Sequence, residues 1–250
     1  MRSAVGATLA TIASSLVVVG VGQAPAFATV TGVRGEAYGY YSNVSFFGGP
    51  YTLLGYGQPA GSPAIAATPS VALARTGGTT TLTDPDGSMA QYGPATIFGW
   101  YNASTGTYGS SGAETVYASG SIGASGSVTS YSRIVNAGPG PVVMPQVVTT
   151  CNANQSATSG SVSVSNGYVE TSTDANGTVT STAPIPSSPA PGYRINGTIN
   201  SVGDRFHVVF NEQTLNADGS RKTIGAHLYL DGPTAVGDLV VAVATCGVTR

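Results

Sequence analysis

The sequence predicts an all-β protein, a sandwich-like or distorted barrel of short antiparallel strands with one disulfide. Three observations carry that prediction. Helical periodicity is hard to find after residue 28, while short runs of β-branched and aromatic residues recur between Gly, Pro, Asn and Asp. Charged residues make up 8% of the chain, against roughly 25% in an ordinary soluble protein, so hydroxyls and amides must cover the surface. Two cysteines, Cys151 and Cys246, follow an export signal, an even count suited to an oxidising compartment.

The signal comes first along the chain. Arg2 gives a positive start, Ala4 to Gly22 a mostly apolar stretch, and Ala26-Phe27-Ala28 an A-x-A cleavage site. Residues 1–28 therefore read as a signal peptide, with residues 29–250 as a single β domain. A membrane anchor is the alternative, but Thr, Ser and Gly dilute the apolar run. No later segment is long and apolar enough to span a bilayer, so no transmembrane segment is expected after cleavage. The longest apolar run, "DLVVAVATC", has the length of a buried strand.

Strands are expected at 35–42, 62–68, 78–83, 95–101, 113–119, 127–135, 142–151, 160–165, 178–182, 194–201, 205–212, 223–230 and 238–246. "APIPSSPAPG" (183–192) is too stiff and too poor in donors for a central strand. It reads as a connection across the domain, or else as a sub-boundary between two domains. A Cys151–Cys246 disulfide would span it and close a loop of roughly 95 residues, worth at most about 4 to 5 kcal/mol on the chain-entropy model. Two buried free thiols are the alternative.

Both histidines lie in "FHVVFNEQTLNADGSRKTIGAHLYL" (206–230). Phe206, Val208 and Phe210 alternate on one strand and Ala226, Leu228 and Leu230 on the next, so these six share a buried face. The turn "NADG" sets Asn216 opposite Ser220, with Gly219 free to take positive φ. His207 then faces Tyr229, Val209 faces His227, and both rings point outward as diagonal neighbours. Such a pair is near enough to share a metal ion, but only Arg205, Asn211 and Asp231 are expected nearby, too few ligands for a stable site. The histidines read as outer-face residues, and no metal or other cofactor is called for.

Other chemistry is missing from the sequence. There is no G-x-S-x-G elbow, no H-E-x-x-H and no P-loop, and the only lysine is Lys222. Asp84 and Asp86 in "LTDPDGS" sit in a turn, without the further oxygen ligands of a calcium loop. With Lys+Arg 9 against Asp+Glu 11, no basic field exists to hold a nucleic acid. Aromatic residues are more suggestive, because flat rings with polar rims stack on sugars. Trp100, Tyr101, Tyr92 and Tyr108 are the candidate ligand-binding aromatics, with core filling as the plainer account. Asn43, Asn102, Asn154, Asn176 and Asn196 head Asn-x-Ser/Thr triplets, as chance supplies in a chain this rich in Ser and Thr.

The ordered pieces "VVTTCNANQSATSGSVSVSNG", "FNEQTLNADGS" and "IGAHLYLDGPTAVGDLVVAVATC" resemble the choice-of-anchor P family of secreted actinobacterial proteins. The likeness is strongest over residues 142–246 and looser at "GEAYGYYSNVSFFGGP" and "PSVALARTGGTTTLTD". It implies a secreted or surface-displayed β domain of unknown biochemical role, with no catalytic residues to carry over and with recurring cysteines at Cys151 and Cys246. The expected function is thus a non-catalytic structural or interaction domain, extracellular or wall-associated, whose partner is cell-wall glycan or another surface protein. A carbohydrate-binding module is the alternative.

Overall fold

Strand-forming runs cut by turn residues fold as strands throughout, and the described residues contain no helix. The computed structural model describes residues 29–46, 64–84, 101–102, 107–108, 114–138, 140–233 and 235–250. Its strands are β1 (Gly32–Phe46), β2 (Ala64–Ala67), β3 (Ser70–Ala72), β4 (Gly77–Asp84), β5 (Tyr101–Asn102), β6 (Thr107–Tyr108), β7 (Glu114–Ser121) and β8 (Ser127–Ala137). They continue as β9 (Val142–Asn154), β10 (Thr158–Ser165), β11 (Tyr168–Thr173), β12 (Val179–Pro184), β13 (Tyr193–Ile199), β14 (Asp204–Leu215), β15 (Arg221–Asp231) and β16 (Ala235–Thr249).

One sheet runs β2-β1-β16-β15-β14-β13-β11-β9-β8-β7-β4, with β3 beside β1, β10 beside β9 and β12 beside β11. It bends back on itself so that β1 and β16 pack over β7, β8 and β9. The result is a nearly closed, barrel-like sheet. The expected antiparallel pairing holds except at Ser172↔Thr198, where β11 and β13 run parallel. Strands β3, β6 and β11 lie outside the runs expected from the sequence, and most of the expected strand at 95–101 lies outside the described residues. The Pro-rich stretch is irregular after Pro184 but pinned: Val164 N–H donates to the Ser187 carbonyl, and Asn211 Nδ2 to that of Pro189.

A row of irregular positions crosses four neighbouring strands: Gly39 on β1, Ala242 on β16, Gly225 on β15 and Asn211 on β14. Each pairing skips this row and resumes on the same register beyond it. Gly192 extends it, donating its N–H to the Asn211 carbonyl at 3.1 Å. Asn211 and Ala242 have φ of 53° and 55°, the left-handed region. A shorter row, Asn136, Pro145 and Asn166, crosses β8, β9 and the end of β10. The four non-glycine residues of positive φ among the described residues all fall on these two rows.

A left-handed residue turns the following side chain to the face opposite its predecessor's, where regular alternation would keep the two on one face, so alternation inverts without a change of register. On β16, Leu239 and Val241 point into the core before Ala242, and Ala244 and Cys246 do so after it. Val240 and Val243 therefore both lie on the outer face, in a cluster with Ile224, Tyr38 and Tyr41. Glycine is needed at 225 because a Cβ there would lie 2.7 Å from Thr149 Oγ1 and 2.9 Å from the Val241 carbonyl.

The interior differs on the two sides of the longer row. Phe206, Phe210, Met144, Leu228 and Ile134 dominate one end. Val30, Val33, Val128, Ala153 and Ala244 surround the disulfide at the other. That bond, Cys151–Cys246, joins β9 to β16 across the interior with a Cα separation of 5.5 Å, and the alternative of two free thiols is set aside.

Candidate functional site

The β14–β15 hairpin forms as its sequence dictates. His207 pairs with Tyr229 and Val209 with His227, while Asn216 N–H donates to the Ser220 carbonyl at 2.8 Å across the turn. Gly219 takes φ 79° there. Asp218 fixes the turn by accepting from Ser220 Oγ at 2.6 Å and Ser220 N–H at 2.9 Å, and its carboxyl falls to about 2 through these bonds and the Arg34 ion pair at 2.7 Å.

On the outer face His207, Tyr229 and His227 stand as a stack. The His207 and Tyr229 ring centroids are 4.5 Å apart at 13°, and those of His227 and Tyr229 are 3.9 Å apart at 27°. Tyr229 thus separates the two imidazoles, which removes the shared-metal geometry that their diagonal positions allow. Among the described residues no group of three or more His, Cys, Asp or Glu side chains is placed to hold a metal ion.

His227 is held at both ends. Its Nδ1 lies 2.7 Å from Glu212 Oε2 and its Nε2 lies 3.0 Å from Asp238 Oδ2. Carboxylates only accept, so both bonds form when each ring nitrogen carries a proton, as in the imidazolium. Tyr229 Oη donates to Glu212 Oε2 at 3.2 Å. Burial, with the Glu212 carboxylate beside it, pushes the Tyr229 phenol up to about 12, so it remains a donor at neutral pH. Burial, and next the Arg194 guanidinium, push His207 below its ordinary value.

Two carboxylates leave His227 no free ring nitrogen with which to take a substrate proton. The cluster instead acts as a brace: β16 supplies Asp238, β14 supplies Glu212, and between them β15 holds two aromatic rings upright. Sequence reasoning missed Glu212 for a physical reason. By alternation it shares the inward parity of Phe206, Val208 and Phe210, but the inversion at Asn211 turns it outward. Asn211 itself, expected beside the histidines, is buried, where it donates to the Pro189 carbonyl and accepts from Gln213 Nε2 at 2.7 Å. The available signal was Asn beside Glu in "VVFNEQT", since Asn tolerates the left-handed region far better than most residues.

Of the candidate ligand-binding aromatics, Trp100 and Tyr92 lie outside the described residues, while Tyr101 and Tyr108 are register partners in the β5–β6 ribbon. Asp84 ends β4 and Asp86 lies outside the described residues. No helix among the described residues is long and apolar enough to cross a membrane. Comparison with known proteins finds no matching family model, curated sequence or solved structure.

Proposed function

We propose that this protein works outside the cytosol as a non-catalytic structural or interaction domain of the cell surface. The observation that carries the reading is the disulfide across the interior, because such bonds form and persist in oxidising compartments. The leader-like stretch before Thr29 and the resemblance to choice-of-anchor P proteins support the same reading. A non-catalytic role is supported by His227, whose two ring nitrogens are both occupied by carboxylates.

The test is to fractionate cells that make the protein into medium, wall and cytosol and to measure its intact mass. A product beginning at Thr29, two hydrogens lighter than the dithiol form and found in medium or wall, is expected. Full-length reduced protein in the cytosol would sink the reading. Glycan binding through Trp100, Tyr101, Tyr92 and Tyr108 is the second reading, favoured by the pairing of Tyr101 with Tyr108. Loss of wall-glycan retention on replacing Trp100 and Tyr101 with alanine would support it.

A further inference from the structure

We infer that the outer face of β13, β14 and β15 is a binding site for a sugar carboxylate, a uronate-type unit of an acidic glycan. This gives the proposed interaction role a ligand, and it rests on that reading only for where the ligand is met. Charge is scarce in this chain, with 9 basic and 11 acidic residues among 250. Yet the register sets Arg194, Val209 and His227 in one line across the three strands, Asn196, His207 and Tyr229 in the next, and Thr198, Arg205 and Asp231 in a third. A groove of about 370 Å³ opens over this lattice, lined by Arg194, Asn196, Thr198, Arg205, His207 and Asp231.

The ligand class follows from the charges. Arg205 is exposed and makes no ion pair among the described residues, although Asp231 is its register partner. Arg194 has its Nε held by Asn196 Oδ1 at 2.8 Å, which aims the rest of its fork of donors. Two guanidiniums and one carboxylate leave a single positive charge, which matches one carboxylate. A phosphate dianion would leave one negative charge unbalanced beside Asp231. Asp231, Asn196 and Thr198 then face the ligand with the acceptors and donors that sugar hydroxyls need.

His207 supplies a wall. It is stacked on Tyr229, whose hydroxyl is fixed by Glu212, so the braced histidine is the support that keeps the groove in shape before the ligand arrives.

The chain has two histidines, so each ring gives its own NMR signals and His207 reports on the groove directly. Titrating the oxidised protein with trigalacturonate should shift the His207 ring resonances saturably at submillimolar to millimolar concentration. The methyl-esterified trimer should leave them in place, and Arg205→Gln should weaken binding at least tenfold while the thermal midpoint is unchanged. His207 signals unmoved by 10 mM acid trimer would overturn the inference, as would equal response to acid and ester, or full affinity in Arg205→Gln. Secretion without uronate binding sinks this inference alone, and uronate binding by a cytosolic protein sinks the extracellular reading alone.

Discussion

Beyond the inverted row, toward Cys246, the interior is made of Val30, Val33, Val128, Ala153 and Ala244 around a disulfide; on the other side Phe206, Phe210, Met144, Leu228 and Ile134 fill it. The first end also buries the hydroxyls of Ser130, Thr149 and Thr223 without a hydrogen-bond partner among the described residues. Burial of apolar area scales with side-chain size, and an unpaired buried hydroxyl costs free energy. One end is therefore held by large apolar side chains. The other, with small side chains and unmet polar groups, leans on a covalent cross-link.

Removing that link gives the largest expected effect. Replacing Cys151 and Cys246 together with alanine should lower unfolding free energy by about 4 kcal/mol, and amide exchange should quicken first in the parts of β9 and β16 near the cysteines. Phe210→Ala, fully buried at the other end, should cost about 3 kcal/mol and quicken exchange in β13 and β14 instead. If both variants loosen the same amides, the two ends are not distinct in their source of stability.

Asn211→Ala should cost about 2 kcal/mol, through the left-handed backbone and two lost hydrogen bonds. Asn211→Gly keeps the backbone and should lose about half as much. An Ala variant as stable as wild type would mean the row imposes no strain. A smaller effect of opposite sign is expected at the disulfide end: Thr149→Val removes an unpaired hydroxyl at nearly constant volume and should add about 1 kcal/mol in urea unfolding.

A pH slope is expected at the large-core end. Burial lifts the Glu170 carboxyl from 4.5 to about 7, so between these values the folded protein holds a proton that the unfolded chain releases. Stability from this group is greatest below pH 4.5 and falls as pH rises, and the penalty is complete above about 7. Glu170→Gln should flatten that part of the stability profile. An unchanged slope would place the titration elsewhere.

Alternation and turn chemistry made much of the fold legible. Phe206 to Phe210 and Ala226 to Leu230 announce their shared buried face, and "NADG" fixes the register that pairs His207 with Tyr229. What alternation cannot reveal is a residue that changes its phase. Past Asn211 and Ala242 the inward parity switches, so Glu212 joins His227 and Val243 joins Val240 against the pattern of the residues before them. Strand order was hidden where partners lie far apart in the chain. Strand β16 follows β15 through a short connection in which Gly232 N–H donates to the Ala235 carbonyl, so Asp238 comes beside His227 locally. Strand β1 instead meets β16, Gly32 opposite Thr249, in a pairing that no local turn encodes.

The bridge between β9 and β16 also sets how the fold would carry a load. The first residues of β1 lie beside the last of β16, Gly32 opposite Thr249, so a pull on Thr29 and Arg250 unzips these strands one rung at a time. It reaches Cys246 after only three more rungs, and tension then passes through sulfur to Cys151. Everything threaded between those two points, including β14, β15 and their upright rings, is bypassed by the force.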